Sequence, residues 1–445
     1  MIKKILIANR GEIAVRIIRT LKEMDISTVA VYSEADKDSL HVKMADEAVC
    51  IGPSQSHKSY LNMYNILIAA KITGADAIHP GYGFLSENEH FAKLCEDFGI
   101  IFIGPKAEHI RLLGDKAFAR NTAYNAGVPI VPGTRDKIYD LELALKEAEK
   151  IGYPLILKAV SGGGGKGIRI IKDENELKRI FKMAQREAER AFGDPAMYLE
   201  KYIAEAKHIE FQILADKFGN VIYLGERDCS IQRKNQKIIE EAPSIILDKE
   251  LRKKMGEAAV KIAKAVKYEN AGTVEFLLDN EKNFYFIEMN TRIQVEHPVT
   301  ELVTGIDLIK EQILIASGHP LSYKQEEIDL RGHAIELRIN AEDPEKNFEP
   351  SPGKIEDLHL PGGFGIRVDT SIYKGYFIPP FYDSMIGKII VWGKDRNEAI
   401  IRANRALDEF KIKGVKSNVK LLKKIINSDK FKKGHVHTKF VENII

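Results

Sequence analysis

The sequence predicts a mixed α/β and α+β protein, and three stretches carry that expectation. Residues 4–32 alternate strand, helix and strand as in a Rossmann-type unit, and residues 273–298 read as a hairpin with polar positions along one face. Four glycines at 162–165 join two strands rather than a strand and a helix. A length of 445 residues suggests roughly three domains, and 44% hydrophobic with 29% charged is ordinary for a soluble globular enzyme. The net charge of +3 is too small to argue for nucleic acid. Cys50, Cys95 and Cys229 are scattered without a CxxC pair, which excludes a disulfide framework and a thiolate metal site and fits a reducing compartment. Ile5–Ala8 is too short for a signal-peptide core, and no run reaches the roughly 18 apolar residues of a membrane span. A cytoplasmic protein with no membrane contact is therefore expected.

Taken in order, Lys4–Ala8 is a buried strand, Asn9-Arg10-Gly11 turns into a helix with Ile13, Ile17, Ile18 and Leu21 on one face, and Ile26–Tyr32 is a second strand. The dinucleotide fingerprint GxGxxG is absent, so NAD is not expected and Glu34 or Asp36 reads as turn chemistry. After a strand at 75–78, the loop His79–Asn88 holds Pro80, Gly81 and Gly83 around Tyr82. Its backbone can approach a ligand closely, though a connecting loop would have the same composition. Lys116 opens a helix and either reaches a phosphate or is solvated.

A helix at 141–151 and a strand at 153–160 lead to Ser161–Gly167, followed by a strand at 168–172. This is not a Walker A loop, which needs a helix after it and Ser or Thr after the lysine. Bare amides beside Lys158 and Lys166 suit a lid over polyphosphate. A helix carrying Leu177, Ile180 and Ala184 follows, then Met197–Ile203, in which Glu200, Lys201, Tyr202 and Ile203 can run along an adenine and pair with it through the backbone. Strands at 209–215 and 221–225 lead into the alternating charges of Glu226–Lys237. His208 reads as a base, a ligand contact or a structural histidine. Cys229 has no histidine near it in sequence to make it a nucleophile.

In the hairpin, apolar runs at 273–278 and 284–289 flank the turn Asp279–Asn283, so Glu275 and Glu288 face each other at equal distances from its centre. Opposed like charges destabilise a sheet unless a cation sits between them, and hard divalent ions prefer oxygen. Asn290 adds a third oxygen. If the backbone stays extended, Arg292, Gln294 and Glu296 continue the same face.

Seven stretches together resemble biotin carboxylase, the ATP-grasp component of the biotin-dependent carboxylases: KILIANRGEIAVRIIRT, HPGYGFLSEN, KAVSGGGGKGIRI, ERDCSIQRKNQK, FIEMNTRIQVEHPVTE, HAIELRINAED and PPFYDSMIGKII. The resemblance spans essentially the whole chain. It implies an N-terminal Rossmann-like domain over 1–112, an ATP-grasp domain over 113–330 with a mobile lid at about 131–203, and a C-terminal biotin carboxylase domain over 331–445. ATP is implied to contact Lys116, Lys158, Gly164, Gly165, Glu200, Lys201, Tyr202, Ile203, His208 and Gln232, with Mg2+ (or Mn2+) on Glu275, Glu288 and Asn290. Bicarbonate is implied to sit on Lys237, Arg292, Gln294 and the backbone of Val295, with Glu296 as its base. Arg338 would stabilise the biotin enolate, and Tyr82 and Gly83 would border the biotin. Asn235 departs from the histidine of the family's QRRHQK motif, near the nucleotide ribose.

The implied reaction is ATP-dependent carboxylation of biotin through carboxyphosphate. Bicarbonate is an anion attacking a more negative phosphoryl group, so cations must cluster there. No AMKM-like biotinylation motif occurs, since Lys43-Met44 and Lys254-Met255 lack the preceding methionine. A stand-alone protein that serves a biotin carboxyl carrier protein, with separate carboxyltransferase subunits, is expected. The family also implies a homodimer with Arg19, Glu23, Phe364 and Arg367 at its interface. Acetyl-CoA is the expected final acceptor, with pyruvate or another 2-oxo acid as the alternative and a silent ATP-binding scaffold as a remote one.

Overall fold

The computed structural model describes residues 2–134, 136–160 and 168–444, and the side chains of Ile168, Phe192 and Asn443 are excepted. The chain opens with a parallel five-stranded sheet of order β3-β2-β1-β4-β5, formed by β1 (Lys4–Ile7), β2 (Ser27–Ser33), β3 (Glu47–Gly52), β4 (Ala77–His79) and β5 (Ile101–Phe102). Its connecting helices are α1 (Gly11–Glu23), α2 (Leu40–Met44), α3 (Met63–Thr73) and α4 (Glu89–Asp97). Ile5 and Ile7 pack against Ile13, Ile17 and Ile18 of α1, while Leu6 faces the opposite side with Val29 and Val31, the period-2 split of a strand covered on both faces. Gly11 takes φ +68° at the entry to α1, a left-handed turn that suits glycine.

One expectation fails in this sheet. Asp36 is no mere turn residue: it is buried, pairs with Arg10 at 2.6 Å and accepts from Tyr60 at 2.7 Å and Ser39 at 2.9 Å. Burial opposes its ionisation, but Arg10, with His41 and the Tyr60 hydroxyl, holds its carboxyl below its ordinary range.

α5 (Ala107–Gly114) and α6 (Lys116–Asn125) lead out of this sheet, with the Asp115 side chain accepting from the Phe118 amide to cap α6. Next comes a small antiparallel sheet of order β7-β6-β8: β6 (Leu155–Ala159), β7 (Ile168–Ile171) and β8 (Met197–Lys201). Helix α7 (Leu141–Ile151) covers it with Ala144 and Ala148 and α8 (Glu174–Phe192) with Leu177, Phe181, Ala184 and Ala188, giving this unit a core of its own.

The rest is organised by one antiparallel eight-stranded sheet. Its order is β13-β12-β9-β10-β11-β14, continued by the strands Met385–Gly393 and Ile366–Thr370. The labelled strands are β9 (Lys207–Ala215), β10 (Val221–Arg233), β11 (Gln236–Ala242), β12 (Asn270–Leu278), β13 (Phe284–Asn290) and β14 (His333–Asn340). The expected strand at 221–225 runs on through the charged segment to Arg233, and Lys234-Asn235 turns it into β11. The charges along 226–233 thus lie on a strand inside a buried sheet, and Lys234-Asn235 is its exposed turn. α9 (Lys249–Ala265) and α6 cover one face, where Phe211, Phe276 and Phe286 meet edge to face.

The β11–β14 pairing makes the sheet continuous across its middle, and Glu241 locks that seam. It accepts from His333 at 2.9 Å and from Arg396 at 2.6 Å, the first residue of the helix Arg396–Glu409. Burial opposes its ionisation, but His333 and Arg396 outweigh burial and hold its carboxyl at about 2. A depressed carboxylate contributes stability that is present above the unfolded value of 4.5 and is lost as pH falls toward 2. Glu241→Gln should therefore cost about 3 kcal/mol at pH 7 and flatten the acid-unfolding curve between those limits. Urea unfolding at pH 7 and circular dichroism along an acid titration check both.

Candidate active site

The face of the large sheet opposite the phenylalanines is polar, because every residue between core positions points the other way. Strand pairing sets Glu288 opposite Glu275, Glu275 opposite Glu210, and Glu210 opposite Arg227, so three carboxylates and a guanidinium form a row across β13, β12, β9 and β10. The hairpin register places Glu275 against Glu288 as its spacing predicts. A bulge at Ile287 shifts only the turn-proximal pairs, where Phe276 faces Phe286.

Lys237 reaches over this row. Its Nζ donates to Glu210 at 2.6 Å, Glu275 at 3.0 Å and Glu296 at 2.7 Å. Burial would neutralise the ammonium, but the three carboxylates raise its pKa well above the ordinary lysine value. Arg338 holds the second oxygen of Glu296 at 2.8 Å and donates to Glu240 at 2.6 Å. Burial opposes the ionisation of Glu296, yet Lys237, Arg338 and Arg227 keep it well below the carboxylate range. Arg227, wholly buried, binds Glu210 and reaches Gln212 at 2.8 Å, Thr300 at 3.0 Å, Thr273 at 3.1 Å and Gln294 at 3.2 Å.

The extended row expected after Asn290 does not exist. β13 ends at Asn290, the chain bends, and Glu296 stands immediately before the helix α10 (His297–Thr304), whose first turn contains Pro298. The polar groups converge anyway: Gln294 and Asn290 donate to Glu275 at 2.8 and 2.9 Å, and Arg292 donates to Asn290 at 3.1 Å and Glu87 at 2.9 Å. A bend brings together what a straight strand would have strung over 13 to 20 Å at about 3.3 Å per residue.

Glu275, Glu288 and Asn290 fit a divalent cation. The set is all oxygen, and burial and Glu275 together raise the Glu288 carboxyl while Lys237 and His208 keep Glu275 ionised against burial. A cation between the two would relieve both. His208 lies 2.9 Å from Glu275, and its Nδ1 meets the Gln232 amide at 3.0 Å. Glu275 raises the His208 pKa over the opposing effect of burial.

On the side toward the small sheet, Lys158 and Arg120 both bind Glu200, the latter at 3.1 Å. Lys116 is exposed at the start of α6, and its charge acts on Glu288. The Lys201 side chain turns away to the carbonyls of Gly152 and Tyr153. The amides of Lys201 and Tyr202 donate to Pro132 and Pro154, so neither amide is left for a base, while Ile203 follows them half-buried. Gly164, Gly165 and Lys166 lie outside the described residues. Asn235 sits exposed at the β10–β11 turn, where it and Lys234 take φ +66° and +48°. Two left-handed residues in a two-residue turn favour asparagine, which accounts for its presence there.

Tyr82 donates to Glu12, with Gly83 exposed beside it, and Lys388 donates to the Val295 carbonyl at 2.7 Å. Arg19, Glu23 and Phe364 are exposed, whereas Arg367 is spent on Glu301 and Asp369, each at 2.7 Å. Cys229 is buried with its thiol raised well above the ordinary range by burial, which leaves it a thiol that donates to Glu296 at 3.8 Å. Sequence reasoning missed Glu210, Arg227, Glu240, Glu12 and Lys388. The alternation His208, Glu210, Gln212 against Ile209, Phe211, Ile213 could have revealed Glu210, whereas the others depend on strand partners far away in sequence.

Three family models match the chain: the biotin carboxylase N-terminal domain over residues 1–110, the ATP-binding domain of the carbamoyl-phosphate synthase L chain over 115–324, and the biotin carboxylase C-terminal domain over 336–443. The chain is 60% identical to biotin carboxylase 1 of Bacillus subtilis (strain 168) over 99% of its own length and 98% of that protein's. It is 54% identical to a pyruvate carboxylase subunit of Methanothermobacter thermautotrophicus, covering 99% and 90%. The crystal structure of the biotin carboxylase domain dimer of Hydrogenobacter thermophilus 2-oxoglutarate carboxylase, in complex with MgADP, ADP and bicarbonate, superposes with a TM-score of 0.94 at 54% identity, over 100% of this chain and 98% of that one.

Removing the Glu275–Glu288 repulsion tests the cation fit. Glu288→Gln should stabilise the metal-free protein by about 0.5 kcal/mol, the scale of an opposed like-charge pair, and abolish the rise in melting temperature on adding Mg2+ with ADP. Thermal unfolding with and without those additions measures both.

Proposed function

The chain belongs to the biotin carboxylase family of ATP-dependent carboxylase ligases, and from that premise we propose that it carboxylates biotin borne on a separate carrier protein, consuming ATP and bicarbonate. One observation carries the reading: each oxygen of Glu296 holds a cation, Lys237 at 2.7 Å and Arg338 at 2.8 Å, beside the Glu275–Glu288 pair. The MgADP, ADP and bicarbonate of the Hydrogenobacter structure support the same ligands here.

The proposed division is a Rossmann-like domain over 1–112, an ATP-grasp domain over 113–330 with its lid at about 131–203, and a C-terminal domain over 331–445. ATP would lie between lid and core, its base along Glu200–Ile203 and its phosphates near Lys116, Lys158 and the glycines at 164–165. His208 and Gln232 line the nucleotide side. When bound on Glu275, Glu288 and Asn290, Mg2+ (or Mn2+) would neutralise phosphate oxygens.

Bicarbonate enters among Lys237, Arg292, Gln294 and the Val295 amide. In doing so it competes with Glu296 for Lys237 and Arg338. As those cations turn to the substrate, Glu296 regains basicity and accepts the bicarbonate proton, so the base is strengthened by the substrate it serves. The deprotonated oxygen attacks the γ-phosphoryl group, ADP leaves, and carboxyphosphate forms. Carboxyphosphate splits into CO2 and phosphate, the phosphate takes the ureido N–H proton of biotin, and the nitrogen attacks CO2. Arg338 faces the oxygen on which negative charge develops, a role suited to a guanidinium because it stays charged throughout. Tyr82 and Gly83 wall the biotin, and lid closure excludes the water that would hydrolyse carboxyphosphate.

Carboxyltransferase subunits would then pass the carboxyl group on. We place the chain in acetyl-CoA carboxylation, the entry to fatty acid synthesis, because its identity to a protein named simply biotin carboxylase exceeds that to the pyruvate carboxylase subunit. The 54% identities to pyruvate and 2-oxoglutarate carboxylase proteins support a second reading, a 2-oxo acid acceptor. A cytoplasmic homodimer completes the proposal: the Hydrogenobacter domain is a dimer, Arg19, Glu23 and Phe364 are exposed, and no described helix is long and apolar enough to cross a membrane.

ADP release from MgATP should require both bicarbonate and free biotin, and release that needs neither would refute the reading. Glu296→Ala should bind nucleotide as the parent does while turnover falls about a thousandfold, the middle of the range for a lost general base. Coupled ADP assays and nucleotide titration measure the two effects.

A further inference from the structure

Lys388 is wholly buried on the strand Met385–Gly393 and takes no part in the binding and proton transfers of the proposed reaction. An ammonium in that position costs several kcal/mol unless it is paired and its protons meet acceptors. Its Nζ donates to the Val295 carbonyl at 2.7 Å and pairs with Glu12 Oε1 at 3.0 Å. The same Glu12 oxygen accepts the hydroxyl of Tyr82, whose ring centre lies 6.0 Å from Nζ. Lys388 is also the cross-strand partner of Arg338.

Four separate parts of the chain meet at this ammonium: Glu12 in the first turn of α1, Tyr82 in the loop after β4, Val295 before α10, and the C-terminal strand. An ion pair serving only packing would be complete with Glu12. The bond to Val295 does more, because that carbonyl shares its peptide plane with the amide of Glu296. Glu296 makes no side-chain cap bond to α10, so its aim is set by that peptide, by Lys237 and Arg338, and by the weak donor Cys229 at 3.8 Å. Lys237 and Arg338 must turn toward bicarbonate, which leaves the peptide as the strongest anchor that stays in place. Asn9 holds the Tyr82 loop from the other side, donating to Pro80 at 2.7 Å and to the Tyr82 carbonyl at 2.8 Å.

We propose that Lys388 and Glu12 are positioning residues that hold the Glu296 peptide and the Tyr82 ring in one fixed relation, so that base and biotin wall share a single anchor. The inference rests on Glu296 acting as base and on Tyr82 bordering biotin.

Lys388→Met and Glu12→Gln test it in ADP-release assays with MgATP, bicarbonate and free biotin. On the scale of a misplaced catalytic group, kcat should fall on the order of a hundredfold in Lys388→Met and about tenfold in Glu12→Gln. The KM for biotin should rise in both, while the KM for ATP stays within roughly twofold, because loss of an aligned contact separates from loss of uniform binding. The double variant should be no slower than Lys388→Met, since both act through one link. A packing role would lower the melting temperature and the active fraction while leaving the KM for biotin unchanged and the two effects additive. Either of those results overturns the proposal. Should Lys388→Met fail to fold, Glu12→Gln decides alone: parental kcat and parental KM for biotin contradict the proposal. If the parent protein itself releases ADP without bicarbonate or biotin, the fault lies in the reading of the reaction, and this inference falls with it.

Discussion

Three carboxylates directly opposed across three antiparallel strands, Glu288, Glu275 and Glu210, are the constraint on which the rest of the site depends. Two unit charges 4 Å apart near a protein surface repel by about 4 kcal/mol, so a sheet cannot hold three such groups without cations supplied from elsewhere. Lys237 answers from β11 and Arg227 from β10, while His208 of β9 lies 2.9 Å from Glu275, which raises its pKa over the opposing effect of burial. Among the described residues Glu288, at the open end, makes no ion pair, and burial with Glu275 raises its carboxyl. The unbalanced end of the row is where the oxygen set fits a divalent cation.

The same economy explains why the described structure is closed upon itself. Four of the cations that the family resemblance assigns to a substrate are held by protein carboxylates: Lys237 and Arg338 by Glu296, Arg292 by Glu87, and Lys158 by Glu200. Substrate anions would replace those carboxylates rather than bind vacant charges, so binding exchanges ion pairs and does not create them. That exchange keeps the cost of burying charge low before and after binding. On the proposed reading it would also couple substrate arrival to basicity at Glu296, since Lys237 and Arg338, two of the groups that depress its pKa, are ones that bicarbonate would attract.

How much of this was legible in the sequence follows from which interactions are local. The Glu275–Glu288 pair was readable because a hairpin fixes its own register, and the α1 face, the helix that Lys116 opens and the strands around the glycine run followed from period and punctuation. Glu210 stood in a readable alternation that lacked only its partner strand. Arg227, Glu240, Glu12 and Lys388 were out of reach because their meaning comes from pairings such as Glu240 with Glu336 and Arg338 with Lys388, set by a sheet that gathers strands from 207 to 393. Extending period 2 past Asn290 failed because Pro298 favours a helix start, and the chain must bend to reach it. Asp36 was underrated for a related reason: the Arg10, Tyr60 and Ser39 side chains that bury it come from three different segments.

Oxygen transfer from bicarbonate tests the central claim most directly, because the clustered cations are arranged for attack by that anion on a phosphoryl group. With 18O-labelled bicarbonate, MgATP and biotin, the account predicts that one labelled oxygen appears in each phosphate released, carried there through the bond that bicarbonate forms. Phosphate bearing no label, with oxygen drawn from water instead, would contradict it.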